Sequence, residues 1–366
     1  MEIQIEKRGV EQSAIQACRE ECGKALDALW ETPWIRQTIS KATHRNTEAL
    51  QEIALKIQEQ SDLCVVIASG NLGKMIRAAV SALPVNEGGA EVVVFGDTLS
   101  SAEYARMLDL LEERDFSLLM VTAAKEDVAF RGAFAVLKQI LIGKYGKERA
   151  AERMYAVAGK ESEAAAHDAA ENDYPLITYP QEIPAELAGE TAALLLPLAV
   201  MNRDIQAYLN GFYDLIASPA WDLTGGDYAM ARALMPAEGR EEILIWQQQL
   251  VPFGRWMHAV SPVDGEVLDM PRDEQLVGRG TFETSLIIEK DAEDIMTPFF
   301  EGCHEDGSLN LLLTDTATHY FMRESAETAG AHISIEYLDE RALGQLFAFV
   351  QLSNKITEFL LLMEHK

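Results

Sequence analysis

Short aliphatic runs separated by segments of helical spacing constrain this chain more than any other feature. The runs are LCVVIAS (63–69), EVVVF (91–95), SLLMVT (117–122), MYAVAG (154–159) and PLITY (175–179). Between them apolar residues recur at three- and four-residue intervals, as in LGKMIRAAVSAL (72–83), a segment after Ser100 and another reaching Ala170. Strands with little polar alternation are buried on both faces, and the helices between them supply the crossovers that parallel pairing needs. The pattern predicts an α/β fold, a doubly wound α/β/α sandwich with a parallel sheet over residues 45–217.

Flanking segments extend this plan. Residues 10–60 carry helical spacing, so residues 1–44 read as an N-terminal helical arm, with the turn Thr43–Thr47 capping a helix from Glu48. Pro219 and the Gly225-Gly226 pair interrupt the pattern and place a domain junction there. Beyond it, residues 218–366 read as a second, reduced sandwich. ETSLIIEK (283–290) and AHISIEY (331–337) are strands, and LNLLLTDTATHYFMRESAETAG and LGQLFAFVQLSNKITEFLLLM are helices. A chain of 366 residues exceeds what one core accommodates, and the similar character of its halves suggests related domains.

The net charge of −28 repels phosphate backbones and anionic lipid, which argues against nucleic acid and membranes as partners. No apolar run reads as long enough to span a bilayer, and MEIQIEKRGVEQ lacks the apolar region of a signal peptide, so a cytoplasmic protein is expected. Cys18, Cys22, Cys64 and Cys303 form no CxxC pair and no zinc spacing, and read as reduced structural thiols. His44, His167, His304, His319, His332 and His365 make no ligand pattern. GCHEDG (302–307) gathers Cys303, His304, Glu305 and Asp306, but adjacent side chains do not easily converge on one ion. No metal or cofactor is expected.

Two turns invite chemistry. In SLLMVTAAKEDVAFRGAFAVLKQILIGKYG (117–146) a strand passes through a polar turn into a helix that ends at Gly146. A helix start presents unsatisfied N–H groups and partial positive charge, which suits a phosphate, yet this turn carries Glu126 and Asp127. The earlier turn, VIASGNLG (66–73), is a backbone nest for an oxyanion or a turn whose small residues permit close helix packing.

KYGKE (144–148), PLAVMNRDIQAYLNGF (197–212) and FETSLIIEK (282–290) carry a resemblance. Through them the chain resembles the glucose-6-phosphate isomerase family, whose two sugar-isomerase (SIS) domains are doubly wound sandwiches. The resemblance is nearly gapless over 63–218 and weaker from 246 to the end. It implies a sugar-isomerase fold, and it marks where this chain departs from the family's site. The family's GIGGSxLG turn reads VIASGNLG, with Gly70 at the serine position. Its SKSGTTTE phosphate loop reads TAAKEDVA (122–129), which keeps a hydroxyl at Thr122 and places two carboxylates toward the phosphate volume. At ~5 Å and an effective dielectric of ~20 each repulsion is worth about 3 kcal/mol, a hundredfold in affinity, partly offset by Lys125.

Further departures follow. PDDVGGRFSVLSAVGLLP reads PQEIPAELAGETAALLLP (180–197), so Glu186 stands where the resemblance implies an arginine that steadies the enediolate. The glutamate of QLFGES corresponds to Phe253, and the histidine of DLHSMGQ to Pro271, with Asp269 and Gln275 persisting. The chain ends at EHK, before the family's segment with a catalytic lysine.

These changes point to a noncatalytic SIS-domain protein that binds a sugar-like or sugar-phosphate-like ligand or a protein partner, with no catalytic residues. Its candidate cleft is Ser69, Gly70, Asn71, Thr122, Lys125, Glu126, Asp127, Glu186 and Gln275. One alternative is an active phosphosugar isomerase rebuilt from His258, Asp264, Glu266, Asp269, Arg272 and Glu274. Another is a homodimeric scaffold. The terminal helix is more apolar than a one-sided surface helix requires, so it packs at a subunit interface or inside the second domain's core.

Overall fold

A computed structural model of the protein describes residues 2–6, 12–32, 47–217, 219–236, 238–269, 282–291, 293–296, 307–321 and 329–364. The sequence-derived candidates His44, Pro271, Arg272, Glu274, Gln275, Cys303, His304, Glu305, Asp306 and His365 lie outside the described residues. The chain begins with β1 (Glu2–Glu6) and α1 (Gln12–Trp30). It forms two compact units, one of Ser40–Ala207 and one joining Met1–Ile39 to Tyr208–Lys366.

In Ser40–Ala207 the order is α2 (Glu48–Gln60), β2 (Leu63–Ile67), α3 (Gly70–Ala82), β3 (Glu91–Phe95), α4 (Ser101–Glu113), β4 (Phe116–Thr122), α5 (Val128–Tyr145), β5 (Met154–Ala158), α6 (Ala165–Asn172), β6 (Leu176–Thr178) and α7 (Ala192–Val200). The strands pair in parallel in the order β3-β2-β4-β5-β6. β2, β4 and β5 are buried along their whole length because helices cover both faces. On one face Val65, Leu118 and Met120 share a core with Leu111 of α4, Phe134 and Leu137 of α5, and Ala165 of α6. On the other, α2 and α3 pack with α7. α2 starts at Glu48 as the Ser/Thr-rich turn suggests, although the Thr47 hydroxyl makes no capping bond.

The KYG residues prove to be scaffold. Lys144 Nζ donates to the carbonyls of Leu111 (2.8 Å) and Arg114, satisfying the end of α4. Tyr145 Oη donates to Asp115 Oδ1 and accepts from the Phe116 N–H. Gly146 closes α5 at φ 79°, where a side chain would be strained. Together they fix the end of α5 against the start of β4.

The other unit holds β1, α1, most of α8 (Ile205–Ile216), then α9 (Pro219–Ala233), β7 (Glu241–Ile245), α10 (Val251–Ala259), β8 (Gly265–Asp269), β9 (Phe282–Ile288), α11 (Leu309–Phe321), β10 (Ala329–Ile335) and α12 (Glu340–Glu364). Its sheet runs β1-β10-β9-β7-β8, parallel except for β1, which pairs antiparallel with β10.

Several expectations change here. The N-terminal segment is not a separate helical arm, because β1 completes the edge of this second sheet and α1 packs on α9 and α12. The second sheet is not smaller: each has five strands among the described residues. β7 (EEILI) and β8 (GEVLD) carry acids and so lack the aliphatic signature. The junction expected at Pro219 and Gly225-Gly226 is instead the single helix α9. Proline is tolerated in a first turn, and Gly226 lies beside Cys22 of α1, where an added Cβ would make ordinary contact with Sγ at 3.4 Å.

The expectation that no apolar run could span a bilayer is also corrected. Glu340–Met363 of α12 is long and apolar enough to do so by length and composition, and 67% of its most apolar window is buried within the protein. Leu343, Phe347, Phe349, Val350 and Leu352 are all buried, and α12 packs on α9 and α1. Its surplus of apolar residues is therefore that of a core helix, which removes the argument for a subunit interface there.

Candidate functional site

β2 lies between β3 and β4, so the chain leaves it through α3 to one side and returns to the other. In open α/β sheets the crevice beyond the carboxyl ends at such a reversal is where ligands bind. Ile67 pairs with Met120, so the turns after β2 and β4 border that crevice together. Ser69, Gly70 and Asn71 come from one turn, and Thr122, Lys125, Glu126 and Asp127 from the other.

The first turn combines both readings of its sequence. Gly70 has φ 61°, the left-handed shape of a nest, and a Cβ on Gly73 would sit 2.9 Å from the Ala68 carbonyl oxygen. Gly70 N–H already donates to Asp97 Oδ1 at 2.7 Å, and Arg77 Nη1 stands 3.7 Å from Asp97 Oδ2. Ser69 is the N-cap of α3 but its side chain makes no capping bond. Sequence reasoning missed Asp97. The available signal was an acid directly after Gly96, which ends β3 at φ 132° and folds the loop back over Ala68.

The second turn departs from expectation. Thr122 Oγ1 donates to the Ala124 carbonyl at 2.8 Å, which turns the retained hydroxyl inward on its own loop. Glu126 is buried and does not face a phosphate volume. Its carboxylate accepts from Ser162 Oγ and from the N–H groups of Glu163 (3.0 Å), Ala164 (3.2 Å) and Ala165 (3.0 Å), at the start of α6. Burial alone would push its pKa up, but the bonds from Ser162, Ala165 and Glu163 outweigh that and hold it below the usual carboxylate value. Asp127 caps α5, with Oδ1 accepting from the Phe130 N–H at 2.8 Å. Lys125 pairs with Glu163 at 2.9 Å in solvent. The paired-carboxylate picture is thus corrected, because each acid answers a different helix start. α3, α5 and α6 each hold a carboxylate of the chain itself: Asp97, Asp127 and Glu126.

Glu186 sits half-buried in the 3₁₀ turn Ala185–Glu190. Beside it Tyr179 Oη donates to the carbonyls of Ile183 (2.9 Å) and Pro184 (3.2 Å). Burial first, then the charges of Glu186 and Glu190, raise the Tyr179 pKa. Glu186 therefore belongs to the neighbourhood of Tyr179, while the carboxylate of Glu126 is committed to α6.

In the second unit Phe253 is fully buried, 5.3 Å between ring centres from Trp256 and 5.2 Å from Phe347. Gln247 brackets Ile288, donating to its carbonyl at 2.6 Å and accepting from its N–H at 3.1 Å. Gln248 donates to Asp269 at 2.8 Å. Of the acid–base set considered for a rebuilt isomerase, Arg272 and Glu274 lie outside the described residues, and two of the others, Asp264 and Asp269, stand apart. Asp264 precedes β8 and Asp269 ends it, about 16 Å apart along an extended strand. Asp264 pairs with Arg240 at 3.4 Å. Among the described residues no group of three His, Cys, Asp or Glu side chains is placed to hold a metal.

Comparison with known proteins places this fold. No family model matches the chain. A glucose-6-phosphate isomerase of Lactococcus lactis subsp. cremoris (strain MG1363) is 28% identical over 280 residues, 68% of this chain and 62% of that protein. A crystal structure of a glucose-6-phosphate isomerase from Chlamydia trachomatis superposes with a TM-score of 0.77 over 96% of this chain and 82% of that one, at 12% identity. The chain is similar to glucose-6-phosphate isomerases in sequence and in fold. An isomerase of Lactobacillus helveticus (strain DPC 4571) is 30% identical over 223 residues, 57% of this chain and 49% of that protein. A hypothetical protein of Thermus thermophilus shares the fold at a TM-score of 0.80 and 16% identity, over 98% of this chain and 94% of that one. The chain spans about 62% of the length of the Lactococcus isomerase it matches. Its two α/β units have the SIS-type architecture of that family.

Proposed function

We propose that this relative of the glucose-6-phosphate isomerases has lost isomerase catalysis and acts by binding a sugar-like ligand or a protein partner, in a cytoplasmic setting. The observation that carries the reading is the occupation of three helix starts by Asp97, Asp127 and Glu126. A phosphate entering the crevice would find donors of α3 and α5 already engaged by Asp97 and Asp127, while Glu126 is turned away to α6. At ~5 Å and an effective dielectric of ~20, repulsion from each of Asp97 and Asp127 would cost about 3 kcal/mol. Two further features support the reading. Glu186 stands where the family's arginine is expected, and Phe253, where the family's glutamate is expected, is locked among aromatic rings. Aldose–ketose isomerisation needs a positioned base and a stabilised enediolate, and Phe253 and Glu186, at the positions where the family's glutamate and arginine are expected, can fill neither role.

A coupled assay converting fructose 6-phosphate to glucose 6-phosphate tests this reading. The expected result is no turnover above the uncatalysed rate. Turnover lost on Asp269→Asn or His258→Ala would establish a rebuilt isomerase instead.

A dimeric scaffold is the second reading, and α5 favours it. This helix contains no acidic residue, and its exposed side presents Val128, Ala135 and Val136, with Leu99 nearby against Gly132. In a chain of net charge −28, two copies meet with least repulsion through such a face. Light scattering should then report a dimer that Val136→Asp dissociates, whereas a monomeric wild type removes the reading.

A further inference from the structure

A cavity of about 350 Å³ lies among α2, β6 and the start of α7, within Ser40–Ala207. Its volume falls at the lower end of the range of small-molecule sites, ~300–1,000 Å³. It is separate from the crevice described above, since neither Ser69–Asn71 nor Thr122–Asp127 lines it. The walls are aliphatic, with Leu50 and Ile53 from α2, Ile177 from β6, and Ile183 and Leu195 from the chain beyond it. No Lys, Arg or His is among the described residues that line it. The one carboxylate, Glu190, is engaged within the protein and wholly withdrawn from solvent. The cavity therefore holds no charge for a ligand to pair with.

The hydrogen-bonding groups it does offer are neutral. Thr47, which precedes α2, and Thr178, which ends β6, both line the cavity, and neither hydroxyl has a partner among the described residues. Ala192 brings the first N–H of α7 to the same lining, while the next, on Ala193, is taken by Thr191 Oγ1 at 3.3 Å. We propose that this cavity binds a small neutral molecule, with an apolar body held by Leu50, Ile53, Ile183 and Leu195 and one oxygen atom that accepts from these donors. Charge of either sign is disfavoured. The N-terminus of α7 brings about half a positive charge. Glu186 and Glu190, in the 3₁₀ segment before it, bring a negative field that adds to burial in raising the Tyr179 pKa. An ion would give up its water for fields that oppose each other, whereas a hydroxyl or carbonyl gives up far less and regains a hydrogen bond. The inference goes beyond the loss of catalysis and concerns a different site, so hexose-phosphate turnover would overturn that reading while leaving this one standing.

Methyl NMR of the full chain, labelled at its isoleucine δ1 carbons, decides it. The probes are cyclohexanol, cyclohexylamine and cyclohexanecarboxylate, one ring with a neutral, a positive and a negative head, in ~0.3 M salt to screen the field of the whole chain. Cyclohexanol should shift Ile53, Ile177 and Ile183 saturably, with a Kd near ~1 mM for a ligand of about seven heavy atoms. Ile243 and Ile333, in the other unit, should not move. Both ions should bind at least about fivefold more weakly. Ala49→Phe, on the exposed first turn of α2 and in the cavity lining, should abolish the shifts. Leu55→Phe, exposed on the same helix and outside the lining, should keep them. No saturable shift, equal shifts at Ile243 and Ile333, an ion that binds as tightly as the alcohol, or shifts that survive Ala49→Phe would each overturn the proposal.

Discussion

At the scale of single residues, Glu126 shows how one carboxylate ties a strand-to-helix turn to the start of a different helix. Four donors converge on its carboxylate, three of them backbone N–H groups around the start of α6. Glu126→Gln removes the charge those donors complement and should cost about 2 kcal/mol at pH 7. Its pKa in the folded chain lies below the ordinary 4.5, so the stabilisation is complete above that pH and is lost as pH falls through the lower, folded value. Thermal melts should therefore show the gap between wild type and variant narrowing below about pH 4.5. Arg232 sets a second test, in the other unit. Its buried guanidinium meets Glu241 (Nε 3.1 Å, Nη2 2.9 Å), Asn354 (2.7 Å) and Ser261 (2.6 Å), while Tyr228 and Thr284 complete Glu241. Arg232→Met leaves the Glu241 charge uncompensated inside the protein and should cost about 3–5 kcal/mol, read from urea midpoints. Neither partnership was legible in the sequence. The turn at 122–129 could be located, but the direction of Glu126 depends on Ser162, 36 residues away, and no local pattern announces such a partner.

At the scale of elements, close helix crossings explain part of the family match. A Cβ on Gly211 of α8 would fall 1.9 Å from the Arg341 carbonyl oxygen, and one on Gly344 of α12 would fall 2.0 Å from that of Tyr208. The two helices cross through reciprocal glycines, so Gly211→Ala should destabilise by about 2 kcal/mol or more. Gly143 is the control: it lies in α5 with nothing within 4 Å of where a Cβ would stand, and Gly143→Ala should stabilise by roughly 0.5–1 kcal/mol. Chemical denaturation of both variants tests the contrast. The same scale shows what sequence pattern reaches. β2, β4 and β5 were legible because both faces are covered and every position is apolar or small. β7 was not, because Glu241 is buried with Arg232, Tyr228 and Thr284 as its partners, a compensation invisible to hydrophobic pattern. β1 was missed because EIQIE alternates, and its partner β10 lies at the far end of the chain.

At the scale of the whole molecule, the two sheets repeat one plan. The order β3-β2-β4-β5 in one unit is matched by β8-β7-β9-β10 in the other, each with a fifth strand beside the last. In the first unit that place belongs to parallel β6, in the second to antiparallel β1. A fold can persist in this way while its site changes, because packing and chemistry draw on different residues. Here the scaffold positions are kept, and the helix starts around the crevice are answered from within. That claim is tested most directly by calorimetric titration of fructose 6-phosphate into the full chain. The account predicts no saturable heat up to about millimolar ligand; saturable binding with a Kd below ~0.1 mM, weakened by Thr122→Val, would contradict it.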